Sequence, residues 1–470
     1  IPNFRARCLS FFMARSRSTC SLKDAVKLLL QQPSTRQSKQ GDGAGKKHPV
    51  KKQHLKQKQR FYPKTTISRA DSSHALGPKT VKDVPRWARD FLRLLEYYKG
   101  ASFVAARLKR VSWNMTTCFS GIGCAEVAAE CIQTATNQWL VKHGRKKRMN
   151  MIELGWSCER DKHCQKVLRM THPTRCNFDD ILSVASSKTG TAFCTTHCRM
   201  CSFKSQHSLR TRVNASGPTC QAFSLMGKRQ AEKDSRFSAH EAWYSHETSP
   251  HGSDIVILEN VTEYRQSIVR GHFKSPLYEM QTACIDPRLF GEGSARARLY
   301  CVIYKTRKFS WDESMSLAEF LSMLKMRPQM SALSYFWQPL PKSILSKTQA
   351  ENLACYKRLY PHLTVPDLDQ LARTGRGRGE IKEDKSMPTL TTNTRLFSRE
   401  HARYLSAVEA LACQGLPSTK DLAKAAGCRP LCIDTISDSQ LYRMAGNSMS
   451  LRCVGAIEMA AMMCLIPISN

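Results

Sequence analysis

The chain has 470 residues and carries 73 Lys plus Arg against 38 Asp plus Glu, a formal net charge of +35. A field of that sign recruits polyanions, nucleic acid foremost, although anionic membranes and RNA-rich complexes would also respond. No run reaches the roughly 18 to 20 apolar residues of a membrane span, and 20 cysteines scattered through a long chain lack the spacing of a small disulfide scaffold, so they read as reduced thiols.

The chain begins at Ile1 rather than methionine, as a fragment would. Arg5, Arg7, Arg15 and Arg17 lie among serines with no acid before Asp24, a composition that suits an organellar transit peptide and equally a basic arm. Residues 1–80 continue polar and one-signed through Lys46, Lys47, Lys51, Lys52, Lys56, Lys58 and Arg60. This predicts a disordered tail for nuclear targeting or nucleic-acid binding, or else a solvated linker.

From Val84 to Tyr98 the residues Trp87, Phe91, Leu92, Leu94 and Leu95 recur at helical spacing. A βα pattern follows: a strand over Val111–Phe119, a helix over Ala125–Val141, a strand over Met151–Glu159, and a helix from Asp161. Asp254–Leu258 and Leu299–Tyr304 are short apolar runs of the kind buried in a parallel sheet. The alternation predicts an α/β fold with an open, doubly wound sheet over residues 81–304. Residues 305–385 are polar and Pro-punctuated, with Arg373, Arg376 and Arg378 near their end, and read as an inserted module. The apolar pattern resumes over 386–470. The closing segment near Cys453 to Ile466 carries Glu458 and follows Arg452, so it reads as core rather than membrane.

The strand-to-helix junction Thr117-Cys-Phe119-Ser-Gly121-Ile-Gly123 lets the backbone turn sharply and approach a ligand closely. Glu159 ends the next strand, where an acid can accept hydrogen bonds from a ribose diol. Its distance from the glycines exceeds the usual ~20 residues, and a basic insertion around 142–148 accounts for the excess. Asp180 is a third polar group able to read an adenine edge. Together they point to a nucleoside-bearing cofactor.

Gly217-Pro-Thr-Cys220-Gln-Ala-Phe-Ser224 follows a short strand. A cysteine on a small-residue turn at a sheet's carboxyl edge is reachable, and its thiolate is a nucleophile. Glu259 ends the buried run 255–258; a carboxylate there is costly unless it is paired or moves a proton. Arg296 and Arg298, at i and i+2 of an extended chain, point to one face and could hold a base carbonyl or a phosphate.

In order, these pieces resemble the DNA cytosine-5 methyltransferase family: Phe-Ser-Gly-Ile-Gly, Cys158-Glu-Arg-Asp161, Asp180-Ile181, the Cys220 loop, Glu259-Asn-Val, Phe290-Gly through Arg296-Ala-Arg298, Met387-Pro-Thr-Leu-Thr-Thr392, and Arg443-Met-Ala-Gly-Asn447-Ser448. The resemblance implies a Rossmann-like methyltransferase sheet using S-adenosyl-L-methionine. Phe119, Gly121, Gly123, Glu159, Asp180 and Asn447 would hold the cofactor. Cys220 would attack C6 of cytosine and Glu259 would protonate N3, while Arg296 and Arg298 steady the base and the nucleophile loop. It also implies a target-recognition role for 305–385, a nuclear location, and DNA carrying a flipped cytosine as partner. RNA of the tRNA type is the second substrate, and a non-catalytic nucleic-acid-binding relative is a further alternative. The chain departs from the family pattern at Thr219, where Pro is usual, at Ala222, where Gly is common, and at Ser294, where Gln is usual. These changes bear on loop rigidity and leave the Cys–Glu–Arg set in place, so the expectation is retained but slow catalysis.

Cys194, His197, Cys198 and Cys201, with His207 beyond, have zinc-ligand chemistry. His197 and Cys198 are neighbours, however, whose side chains tend to diverge. The stretch is read as a cysteine-rich loop and no metal is assigned.

Overall fold

The computed structural model describes residues 75–147, 150–172, 176–203, 209–223, 231–369 and 386–468. Most of the basic tail, His207, Ser224 and the Arg373, Arg376, Arg378 cluster lie outside these residues.

Nine strands form the central sheet: β1 (Trp113–Cys118), β2 (Ile152–Cys158), β3 (Cys176–Phe178), β4 (Thr191–Cys194), β5 (Arg199–Ser202), β6 (Thr211–Ser216), β7 (Ile255–Asn260), β8 (Tyr278–Ile285) and β9 (Arg298–Lys305). Their order is β5-β4-β3-β2-β1-β6-β7-β9-β8. From β3 through β7 neighbours run parallel. Antiparallel hairpins finish both edges, β4–β5 beside β3 and β9–β8 beside β7. Every residue of β1 and of β7 is buried, as a strand covered on both faces requires. Side chains alternate between two cores: Ile255 and Ile257 join one cluster, Val256 and Leu258 the other.

Helices α1 (Trp87–Lys99) and α2 (Ala101–Arg110) precede the sheet; α1 has the apolar stripe seen in the sequence. Each of the first three strands feeds a helix: β1 into α3 (Cys124–Lys142), β2 into α4 (Lys162–Thr171) and β3 into α5 (Ile181–Ser186). Asp161 caps α4 by accepting from the His163 and Cys164 amides, and Asp180 caps α5 by accepting from Leu182. Helices α6 (Phe237–Thr248) and α7 (Gln266–His272) lie between β6 and β8 in the chain.

Beyond β9, residues expected to open an inserted module instead join the large core. Strand β10 (Phe309–Trp311) pairs with a C-terminal strand, and α8 (Leu317–Met323) buries Leu317, Phe320 and Leu321. A separate small core of Tyr356, Leu368 and Phe397 gathers α9 (Lys347–Leu359) and the hairpin β11 (Phe397–Ser398) with β12 (Arg403–Tyr404). Its neck is a hydrogen-bonded ring. The buried Arg403–Glu409 pair (2.8 Å) takes both main-chain groups of Gln338: its N–H donates to Glu409 Oε1 and its carbonyl accepts from Arg403 Nη2, each at 2.8 Å. Helices α10 (Ala407–Ala412), α11 (Lys420–Ala426) and α12 (Asp438–Asn447) lead to α13 (Leu451–Cys464) and β13 (Leu465–Pro467), the partner of β10. All of α13 is buried, Arg452 and Glu458 included. No helix among the described residues is long and apolar enough to cross a membrane.

Candidate active site

Strand order reverses between β1 and β6, and in an open α/β sheet ligands bind in the crevice outside the carboxyl ends at such a reversal. Parallel register puts the candidate residues there although they are far apart in sequence. Cys118 pairs with Ser216 and with Cys158, Ser216 with Leu258, and Cys158 with Phe178. The residues just past these positions include Phe119, Glu159, Asp180, Gly217 and Glu259. One row of strand ends thus carries the expected cofactor and reaction groups.

On the β1 side the loop is held tightly. Ser120 N–H donates to Cys158 O (3.3 Å), Gly123 N–H to Ser120 O (2.9 Å) and Gly121 N–H to Glu159 Oε2 (2.7 Å). Phe119 sits at φ +54°, a conformation costly for a bulky residue and typical of a functional turn. Gly121 also has positive φ, and a Cβ there would meet nothing within 4 Å, so its backbone faces open space; at Gly123 a Cβ would lie 2.4 Å from His172 Nε2. Glu159 Oε1 accepts from Asp161 N–H (2.8 Å). Burial pushes the Glu159 carboxyl above its ordinary value, although the Asp161 and Gly121 amides pull it back. Asp180 is spent partly on its helix cap, whereas Asp179 Oδ1 is buried with no partner among the described residues. Asn447, the last residue of α12, is exposed. Open space at Gly121, a carboxylate at the β2 tip and an unmet acceptor after β3 fit a nucleoside-bearing cofactor.

On the β6 side Cys220 opens a short 3-10 turn and is half-buried. Glu259 is buried in β7, and its Oε1 lies 3.3 Å from Arg298 Nε, the first side chain of β9. Gly217 packs against that carboxylate, and a Cβ there would lie 3.2 Å from Glu259 Oε2 and press it aside by a few tenths of an ångström. Asn260 Nδ2–H donates to Pro218 O (3.0 Å), tying the acid's strand to the nucleophile's turn. Burial, then the Glu259 charge, push the Cys220 thiol above its ordinary value against the pull of Arg298 and Arg296. Burial likewise raises the Glu259 carboxyl, opposed by the same two guanidinium groups. At this pair burial favours the thiol and the protonated acid, while the two guanidinium groups favour the charged forms.

The two arginines take different partners. Arg298 faces Glu259, whereas Arg296 is buried and donates to the carbonyls of Leu390 (3.1 Å) and Gly446 (3.2 Å). Burial, then Arg298, lower the Arg296 guanidinium to about 10, so it remains cationic at neutral pH. It clasps two C-terminal segments against the site. A Cβ at Gly446 would strike the Thr391 backbone at 2.4 Å, so that contact demands glycine. Ser294 and Met387 bridge, with Ala295 N–H donating to Met387 O (2.9 Å). Ser294 Oγ turns to Glu292 (3.5 Å).

One residue went unseen in the sequence. His240, fully buried on α6, donates from Nε2 to the Thr219 carbonyl (3.0 Å), and its Nδ1 lies 3.1 Å from Tyr264 OH, which is 2.9 Å from Tyr244 OH. The carbonyl acceptor fixes the proton on Nε2, so Nδ1 accepts from Tyr264. Burial lowers the His240 pKa to about 4, which keeps the ring neutral. His240 is a positioning residue for the peptide just before Cys220.

The crevice lies at the carboxyl edge of a Rossmann-like methyltransferase sheet, with a glycine turn on one side and a cysteine near a buried acid on the other. A C-5 cytosine-specific DNA methylase family model matches residues 114–461, and the chain belongs to that family. Its members use S-adenosyl-L-methionine in general. The fold is similar to that of Entamoeba histolytica methyltransferase EhMeth (14% identity, 74% of this chain and 97% of that chain, TM-score 0.45). It is similar also to S. pombe Dnmt2 methyltransferase (14%, 74% and 98%, TM-score 0.45). A third similar structure is a putative DNA modification methyltransferase encoded within a prophage of E. coli (16%, 74% and 98%, TM-score 0.46). Comparison with curated proteins gives no match.

Proposed function

We propose that the chain methylates C5 of cytosine in DNA, with Cys220 as nucleophile and Glu259 as proton donor. The observation that carries this reading is the Cys220–Glu259–Arg298 cluster beside the Gly121–Gly123 turn. S-adenosyl-L-methionine, when bound, supplies an electrophilic methyl group; Phe119, Gly121, Gly123, Glu159, Asp180 and Asn447 would hold it. A cytosine stacked in a duplex cannot reach this crevice and must be flipped out, at a cost of a few kcal/mol. Glu259 gives its proton to N3, which draws electrons from C6, and Cys220 loses its proton to water as its sulfur bonds there. C5 becomes nucleophilic and gains the methyl group. N3 returns its proton to Glu259, and loss of the C5 proton to water re-forms the C5–C6 double bond and expels the Cys220 thiolate. Arg298 offsets charge on Glu259 after its proton has left, and Arg296 keeps the C-terminal segments closed on the site. The small module around α9 would carry target recognition, and the basic tail would direct the chain to the nucleus.

The test is methyl transfer from labelled S-adenosyl-L-methionine to cytosine-containing duplex DNA and, in parallel, to tRNA. Duplex DNA carrying 5-fluorocytosine should trap a covalent complex with the wild-type chain and none with Cys220→Ala. Transfer to tRNA alone would replace DNA by RNA as substrate. Absence of transfer and trapping on both would leave the non-catalytic reading.

A further inference from the structure

The Cys194–Cys201 stretch folds into something its spacing did not announce. Strands β4 and β5 form a hairpin in which Cys194 pairs with Arg199 and Ala192 with Cys201. Cys198, at φ +52°, shapes the connecting turn and leaves its own side chain exposed. His197 turns inward instead, and Cys176 joins from β3, where Phe178 pairs with Cys194 and Cys176 shares Phe178's face of the sheet. The His197 Nδ1 atom lies 3.3 Å from Cys194 Sγ, 3.4 Å from Cys201 Sγ and 3.7 Å from Cys176 Sγ. All four donor atoms fall within 4.8 Å of one another.

We propose that Cys176, Cys194, His197 and Cys201 bind one structural zinc ion that clips the outer hairpin to the sheet. A tetrahedral site with zinc–sulfur bonds of ~2.3 Å and a zinc–nitrogen bond of ~2.0–2.1 Å has sulfur–nitrogen edges of about 3.5 Å. The observed edges bracket that value. Four protein donors leave no open position, the mark of a structural rather than a hydrolytic zinc site. Cys176 and Cys194 are buried, whereas Cys201 is half-buried and His197 exposed, so an ion has a path in. Zinc would take three thiolates and one neutral imidazole, with release of the three thiol protons. The ion would add to existing ties: β4 meets β3 at a single ladder pair, Thr195 donates from N–H and Oγ1 to the Asn177 carbonyl, and three of the four β5 residues are exposed. The clip lies beside β3, whose carboxyl end carries Asp180, so the ion stiffens that flank of the crevice without touching the reaction.

The full chain, purified without chelator, should hold about one equivalent of zinc by elemental mass spectrometry. Cobalt exchanged into it should give the intense visible and near-ultraviolet bands of a tetrahedral thiolate site. Cys201→Ser and His197→Ala should lose the metal, while Cys198→Ser should keep it. A strong chelator should lower the melting temperature of wild type and of Cys198→Ser but not of Cys201→Ser. Metal-free wild-type protein with no cobalt spectrum, full zinc retention by Cys201→Ser, or a disulfide within the cluster in protein purified under reducing conditions would each overturn the assignment. These readouts need no methyl transfer, so they stand apart from the test of activity.

Discussion

Cysteines do two different jobs at two places on the same sheet. At the crevice a single thiol, Cys220, in the turn after β6, sits beside a buried carboxyl from β7 and two guanidinium groups at or just before the start of β9. At the outer edge three thiols face one imidazole, with Cys194, His197 and Cys201 from one hairpin and Cys176 from β3 beside it. Lone sulfur with a proton donor and fixed positive charge is arranged for bond making. Sulfurs grouped around a nitrogen are arranged for coordination. The teaching is that company, rather than residue type, sets what a cysteine does.

The contrast breaks most directly at Cys220. Cys220→Ala should reduce methyl incorporation to background with an unchanged melting curve, whereas Cys198→Ser should leave both as in wild type. If both variants lost activity equally, the two regions would not be separable. Glu259→Gln comes next. It keeps the shape but has no acidic proton, and loss of a positioned acid costs typically 10²–10⁴-fold in rate. Single-turnover methyl transfer measures it.

His240→Phe sharpens the contrast from behind the nucleophile. It removes the donor to Thr219 O and the acceptor for Tyr264, so stability should fall by about 1–3 kcal/mol. kcat should drop, while KM for the methyl donor stays near wild type; an unchanged kcat would reduce His240 to a packing residue. The pH dependence has a definite sign. The ring's pKa is about 4 folded against 6.5 for the free group. Between those values the unfolded chain binds a proton that the folded chain refuses, so this part of stability is present above 6.5 and is lost as pH falls toward 4. Melting curves from pH 7 to pH 4 should therefore show the gap between wild type and His240→Phe narrowing.

The smallest effect is expected at Thr219→Pro. Thr219 already has φ −53°, within proline's range. The substitution should add about 0.4–1 kcal/mol by restricting the unfolded chain and change the rate little. A large loss would show that the Thr219 side chain or amide does work that proline cannot.

Much of the crevice was legible in the sequence because its physics is local. Short apolar runs marked β7 and β9, the βα alternation marked β1, the glycines marked the turn after β1, and Cys220, Glu259 and Arg298 each stand next to a strand end. What escaped depends on contacts that leave no local trace. The partners of Arg296 are backbone carbonyls, which any residue supplies. His240 is one histidine in a helix without a clear apolar stripe, and only the fold brings its ring under Thr219. The donor set we propose beside the cysteine-rich stretch differs from the one its spacing offered. Adjacent His197 and Cys198 do diverge, as expected, but the place of Cys198 is taken by Cys176 from a neighbouring strand. The opening of the insert was misplaced because 309–336 is polar and Pro-punctuated in places yet still buries Phe309, Met315, Phe320, Met326 and Tyr335.

The ring formed by Gln338, Arg403 and Glu409 has a practical corollary. Departure and return of the polypeptide meet at this joint, and within the excursion Met387, Leu390 and Thr391 are held to the crevice, so the part before residue 386 is what can lengthen, shorten or be exchanged while the crevice keeps its shape. Chimeras with a foreign segment grafted between residues 339 and 386, which leave Met387, Leu390 and Thr391 in place against the site, are the natural way to give this scaffold a new sequence preference.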